Sequence, residues 1–265
     1  MKFQHYVFIL LIGFLPLVNA NAITQTDSLS CQYISENCLN NCCPTGTMFQ
    51  NIFIPRAAYA LSNNASTKFA DWVAYRTLKG NIGKQTKRKW HQDPKLNKAD
   101  TLSPTDYKSA HAILGYDRGH QAPLGHFGNL SKEIWQETNY LSNITPQKST
   151  LNQGPWRDLE LKERELAQQG YDLYVLTGPL YEASMLPLPY ASKRHDIPSA
   201  YWKVIAIQDQ GITKLSAFIM PQSANKKDDF CSYHVPLDEV AMRSHLNLYP
   251  LTVKNTETLA HALKC

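Results

Sequence analysis

The sequence predicts an α+β fold in which helices flank a central, mainly antiparallel sheet. Three observations carry that expectation. Runs of strand composition follow one another with few helical patterns between them, one amphipathic helix stands mid-chain, and no internal repeat or long Pro/Gly/Ser linker divides the sequence. The 265 residues suffice for a sizeable hydrophobic core. Nine Phe, fourteen Tyr and five Trp exclude a disordered chain. With 27 Lys+Arg against 22 Asp+Glu, the net charge of +5 is a mild bias. It excludes a protein held to nucleic acid by bulk charge alone.

Lys2 precedes a twelve-residue apolar run from Tyr6 to Leu17, and Val18-Asn19-Ala20 and Ala20-Asn21-Ala22 are both small-x-small cleavage patterns. This is the pattern of a secretory signal peptide over residues 1–20, leaving residues 21–265 as one domain. The alternative is an uncleaved anchor, but the run is short for a bilayer span, and no later stretch reaches eighteen apolar residues. The mature chain is therefore expected to be secreted or periplasmic and free of the membrane. Cleavage removes one Lys and no acid, lowering the balance to +4.

All six cysteines survive cleavage, and in an oxidising compartment an even count reads as disulfides. Cys231 and Cys265 lie far from the rest and are expected to pair. Cys31, Cys38, Cys42 and Cys43 are expected to pair among themselves, adjacent Cys42 and Cys43 not with each other. A Cys-rich zinc site is the rival reading, and it lacks the paired C-x₂-C arrangement.

Strand-type runs at Arg56–Leu61 and Lys68–Thr77 flank the turn residues Asn63-Asn64-Ala65-Ser66 and predict a hairpin. Residues 80–104 are polar and loop-like, with Lys84, Lys87, Arg88 and Lys89 among them, and Gly115–Phe127 is rich in Gly, His and turn residues. Pro155 opens a helix that Gly170 ends. Trp156, Leu159, Glu163 and Leu166 recur on one face of it, and Asp158–Lys162 and Glu160–Arg164 are spaced as i,i+4 pairs. Trp156, Leu159 and Leu166 read as core packing. Tyr171–Thr177, Tyr201–Ile207 and Ile212–Ile219 read as further strands.

The sequence contains no G-x-S-x-G elbow, no HExxH, no EF-hand loop and no complete phosphate-binding Walker motif. Chemistry concentrates in residues 116–164. In an extended segment Arg118 and His120 share a face, so a cation for phosphate oxygens and a neutral base for water would stand together. Asn143 and Asn152 offer carboxamide oxygens that could ligate a hard cation or orient His120. Mg²⁺ prefers oxygen ligands and keeps several waters. Were Asn152 and Glu160 on one helix, eight residues would leave them roughly 80° and 12 Å apart. That spacing suits Glu160 to a water of the ion's shell better than to direct ligation. His126 reads as a structural or exposed histidine.

Several stretches together resemble the secreted, sugar-non-specific DNA/RNA endonucleases of the Serratia nuclease type, related to mitochondrial endonuclease G. They are Asp117-Arg118-Gly119-His120, Ser142-Asn143-Ile144-Thr145-Pro146-Gln147-Lys148-Ser149, Leu151-Asn152-Gln153-Gly154, Thr177-Gly178-Pro179-Leu180-Tyr181-Glu182, Ile197-Pro198-Ser199-Ala200-Tyr201-Trp202-Lys203-Val204 and Asp229-Phe230-Cys231. The resemblance covers nearly the whole mature chain from about Cys43. It implies a ββα-metal (His-Me finger) fold and Mg²⁺-dependent hydrolysis of DNA and RNA leaving 5′-phosphates, with Mn²⁺ as a substitute cation. A homodimer is compatible with it.

The resemblance also implies roles. His120 is the general base, Asn152 the single direct protein ligand of the cation, and Glu160 holds a water of its shell. Asn143 fixes the imidazole, Arg118 contacts phosphate, and Arg88, just before Lys89-Trp90, stabilises the pentacovalent phosphate. Lys84, Lys87, Arg88, Lys89 and Arg118 form the expected nucleic-acid-binding border. Lys89 stands where the family pattern has an uncharged polar residue, and the N-terminal cysteines exceed the family's two-disulfide pattern. Two rival readings remain: a catalytically silent nucleic-acid-binding protein, and a zinc-dependent hydrolase of another substrate using Asp117, His120 and His126.

Overall fold

The computed structural model describes residue 1, residues 31–248, residue 251 and residues 256–265. Apart from Met1, the expected signal peptide lies outside the described residues. Residues 31–265 form one compact unit.

Ten strands and six helices are described. The strands are β1 (Ile52–Pro55), β2 (Tyr59–Asn64), β3 (Phe69–Thr77), β4 (Tyr116–His120), β5 (Ile144–Lys148), β6 (Leu173–Leu180), β7 (Ala200–Asp209), β8 (Ile212–Pro221), β9 (His234–Val235) and β10 (Thr256–Thr258). The helices are α1 (Ala110–Leu114), α2 (Lys132–Glu137), α3 (Ser149–Asn152), α4 (Pro155–Gln168), α5 (Leu237–Ser244) and α6 (Ala260–Leu263). Eight strands form one sheet in the order β1-β2-β3-β6-β7-β8-β10, with β9 also paired to β8. Every pairing in it is antiparallel except β10 on β8. The expected hairpin is β2–β3, and the three later strands are β6, β7 and β8.

Both faces of this sheet are covered, which explains the long apolar runs of its central strands. Alternation along β7 sends Tyr201 and Ile205 into a core shared with Trp156, Leu159 and Leu166 of α4, and Trp202, Val204 and Ala206 into an opposite core shared with Val240 of α5. Cys38, Leu39 and Cys43 close the second core. The disulfides are Cys31–Cys42, Cys38–Cys43 and Cys231–Cys265, so the expected division into four and two holds.

In the helical region the condition set for Asn152 and Glu160 is not met, and one expectation is corrected. Asn152 and Glu160 do not share a helix: α3 ends at Asn152 and α4 starts at Pro155. Pro155 disfavours a helical conformation in the residue before it, and Gly154 accordingly leaves the helical region (φ −115°, ψ −123°). The expected Asp158–Lys162 and Glu160–Arg164 bridges are replaced by Arg157–Asp158 (2.8 Å) and Lys162–Glu165.

A separate two-stranded ribbon carries the chemistry. β4 and β5 pair antiparallel, from Tyr116 opposite Lys148 to His120 opposite Ile144. Turn-rich composition hid β4, whose order comes from this long-range pairing. A Cβ at Gly119 would lie 2.8 Å from the Cβ of Gln147, so the ribbon's close approach favours glycine there.

Candidate active site

The ribbon, the loop before α1, and α3 enclose a cleft lined by Arg88, Trp90, Tyr107, His111, Tyr116, Asp117, Arg118, Asn152 and Gln153. Asp117 is its organising acid. Oδ1 accepts from Ser149 Oγ at 2.9 Å and lies 2.8 Å from His111 Nδ1, while Oδ2 accepts from Asn152 Nδ2 and Gln153 Nε2, each at 2.9 Å. Burial would raise its pKa, but these contacts outweigh burial and hold the carboxyl below its ordinary value. Asp117 therefore orients the side chains around it, Asn152 and Gln153 above all.

Asn152 presents the opposite case. Its Nδ2 is committed to Asp117, and no donor among the described residues meets Oδ1. A hard neutral oxygen is thus fixed at the cleft wall. Among the described residues there is no group of three or more His, Cys, Asp or Glu side chains that could hold a metal. The donor set fits an ion that keeps most of its waters, as Mg²⁺ does. It does not fit the zinc alternative. His126 is fully buried against Glu163, with Nε2–Oε2 2.9 Å, and does not join Asp117 and His120.

His120 ends β4. Its Nε2 lies 3.3 Å from Asn139 Oδ1, an acceptor, which keeps the proton on Nε2 and leaves the Nδ1 lone pair for base chemistry. Burial, reinforced by the positive Arg88 and opposed by Asn139, lowers the imidazole pKa to about 4. The ring is neutral at pH 7. Asn143 does not make the predicted contact with this ring. It spends its carboxamide on backbone, accepting from Ala122 N at 2.8 Å and donating to Ala122 O and Thr138 O at 3.0 and 2.9 Å. It holds the turn that follows His120, while Asn139 holds the ring. No spacing rule in Asn139-Tyr140-Leu141-Ser142-Asn143 marks which asparagine does which.

Arg88 and Arg118 are brought together with His120 around Trp90. Their guanidinium carbons stand 4.6 and 5.4 Å from the indole centroid, and the imidazole centroid is 5.4 Å away. Arg118 also donates to Pro104 O at 3.0 Å and stacks on Tyr107 at 5.2 Å. Burial, with Arg88 adding to it, lowers the Arg118 pKa. Lys84, Lys87 and Lys89 are exposed on the preceding loop and do not line the cleft. That loop is tied down by Gln85, which donates to Gly128 O and Leu130 O, and by Gln136, which donates to Lys87 O.

Glu160 is not joined by any described hydrogen bond to Asn152 or His120. Burial, aided by Glu163, pushes its pKa up to about 7 against the pull of Lys203, Arg164 and Trp156. The sequence reading missed the cluster beside it. Glu163 Oε1 receives Lys203 Nζ at 2.8 Å and Oε2 receives Tyr75 OH at 2.9 Å, with all three side chains buried. Glu163 on the apolar face of α4 was the available signal.

The cleft thus gathers two guanidiniums and a fixed carboxamide oxygen, with the His120 imidazole against the Trp90 ring beside it, groups suited to a phosphate ester. The DNA/RNA non-specific endonuclease family matches residues 44–255. Over 217 residues the chain is 48% identical to a nuclease of Serratia marcescens, covering 80% of each chain. It is 29% identical to the mitochondrial endonuclease G of Bos taurus, covering 74% of this chain and 68% of the relative. In fold it is similar to a chain of the solved EndoG/EndoGI complex, with a TM-score of 0.67 at 24% identity, over 81% of this chain and 91% of that one. The chain belongs to the DNA/RNA non-specific endonuclease family, and it is a hydrolase acting on nucleic acids.

Proposed function

We propose that the chain is exported and cleaves DNA and RNA with Mg²⁺, His120 activating the attacking water and the products carrying 5′-phosphates. The observation that carries this reading is the pairing of a neutral His120, with Nδ1 left as the base, with an Asn152 oxygen fixed by Asp117 in the same small ribbon-and-helix unit. Asn152 would hold the cation directly and Glu160 a water of its shell; Mn²⁺ satisfies the same oxygen ligands. Bound there, the cation supplies Lewis acidity toward the phosphate and charge stabilisation for the leaving oxygen.

The chain's own groups do the rest. His120 accepts the proton of the water as its oxygen attacks phosphorus. Arg88 and Arg118 bind the non-bridging oxygens, where negative charge grows in the transition state. The bond from phosphorus to the 3′-oxygen breaks, and the phosphate stays on the 5′ side. Contacts to phosphate carry no base information, which fits a lack of sequence preference. Lys84, Lys87 and Lys89 extend the positive border along the substrate backbone. The Lys2–Leu17 pattern and three disulfides support export.

The test is digestion of supercoiled DNA and of RNA by the purified mature chain, with Mg²⁺ and with chelator, followed by ligation of the products. Cleavage of both substrates that chelator stops and Mg²⁺ restores, with ends that ligate directly, is expected. Products bearing 3′-phosphates, or unimpaired cleavage in chelator, would overturn the reading.

A further inference from the structure

Arg88 and Arg118 present a physical problem that the proposed chemistry leaves open. Two guanidiniums converge on one cleft, and among the described residues neither has a carboxylate partner. The two like charges repel; Arg88 is exposed, but Arg118 is half-buried, where a cation normally finds an acid. Here the groups against them are aromatic. The Trp90 indole faces both guanidiniums, at 4.6 and 5.4 Å, and Tyr107 backs Arg118 at 5.2 Å. The Nε of Arg118 is buried without a hydrogen-bond partner. A ring quadrupole attracts a cation without cancelling its charge, whereas a carboxylate would neutralise it and occupy its donors.

Trp90 is itself held in place. It packs on the apolar cluster that includes Tyr107, Tyr116, Leu141 and Ile144. The next residue, His91, forms a parallel bridge with Tyr140, in which His91 N donates to Asn139 O and Leu141 N donates to His91 O at 2.9 Å. This bridge fixes Trp90 and Asn139 in one piece of backbone. Those two residues touch His120 from different sides, one by ring contact at 5.4 Å and one by hydrogen bond at 3.3 Å.

We infer that Trp90 is the positioning residue of the site, holding Arg88, Arg118 and His120 in register while neutralising neither guanidinium. The inference rests on the reading of those three residues as the working groups. It makes a distinction that ordinary core packing does not: the aromatic face matters, and filled volume alone does not replace it.

Trp90→Phe, Trp90→Leu and Trp90→Ala, each in the full mature chain, are assayed for kcat and KM on DNA and RNA with Mg²⁺, with thermal unfolding followed in parallel. Trp90→Phe is expected within about threefold of the wild type, and Trp90→Leu, of comparable stability, to lose about 30-fold in kcat because the guanidiniums lose their registering face. Should Trp90→Leu fail to fold, Trp90→Met, a flexible apolar filler, takes its place. The leucine or methionine substitution is then repeated in Arg88→Ala and in Arg118→Ala chains. Its penalty should shrink at least about threefold in each, because coupled residues are not additive. Equal activity of the leucine and phenylalanine variants, or penalties that simply multiply, would overturn the role of Trp90. Full activity of both Arg88→Ala and Arg118→Ala would instead remove the site reading on which the inference stands.

Discussion

Beneath α4, Lys203 meets Glu163 at 2.8 Å with both side chains fully buried, while in the cleft Arg88 and Arg118 lean on Trp90 and have no acid beside them among the described residues. The two regions solve the problem of a cation in a protein in opposite ways. The buried cluster spends its charge internally: Glu163 also bonds Tyr75 and His126, and Lys203 stands 4.4 Å from the Trp156 ring. Burial would raise the Glu163 pKa, yet Lys203 and His126 hold it far below the ordinary carboxylate range. The cleft keeps its charge available. On the proposed reading the neutralised charge is structural and the unneutralised charge functional, and substitutions should separate the two.

The largest effect is expected at His120. His120→Ala should lower cleavage of supercoiled DNA and RNA by up to about 10⁴-fold, the upper end of the range for a lost general base, with unchanged circular dichroism. Comparable activity in the variant would refute the base assignment. On the other side of the comparison, Lys203→Met leaves Glu163 buried without its cation. It should cost about 3–5 kcal/mol of stability, read by urea unfolding, while the folded fraction retains its metal response. A variant as stable as the wild type would show that the cluster is not structural. Asn152→Ala should lose about 10²-fold in rate, partly recovered by raised Mg²⁺, as for loss of a metal-site partner. Failure of Mg²⁺ to recover any activity would count against its role as ligand.

Acid sharpens the contrast further. Glu163 has a depressed folded pKa, so its contribution to stability is complete above the unfolded value of about 4.3 and disappears as pH falls from there toward the folded value. Thermal unfolding between pH 5 and 2.5 should show this decline in the wild type and a shallower one in Glu163→Gln. The smallest effect belongs to the exposed loop. Replacing Lys84, Lys87 and Lys89 together by Ala should raise KM about threefold at low salt and flatten its salt dependence, with kcat unchanged. A fall in kcat of the same size would place these lysines in the chemistry.

Periodicity and breakers made much of the fold legible. The helix from Pro155 ends at Gln168, close to the Gly170 stop, and the strands from Tyr171, Tyr201 and Ile212 are present with shifted ends. The ribbon strand Tyr116–His120 was hidden because its order comes from pairing with Ile144–Lys148, and a Gly-rich pentapeptide carries no such information by itself. In the site, the motif brought His120, Arg118, Arg88 and Asn152 to attention, and the structure gathers Arg88, Arg118 and Asn152 along one cleft with His120 against the Trp90 ring. The second layer was not legible. Which of Asn139 and Asn143 reaches the imidazole depends on a turn only three dimensions define. Three of the four contacts of Asp117 come from α3 and the residue after it, more than thirty residues on, and the fourth from His111 of α1.

The small ribbon of β4 and β5 stands apart from the eight-stranded sheet that carries both main cores. Inheritance can therefore act on the two independently. On the proposed reading, a single codon change at His120 cripples cleavage while sheet, cores and disulfides persist, so a lineage can pass on a stable protein that grips a polynucleotide and hardly cuts it.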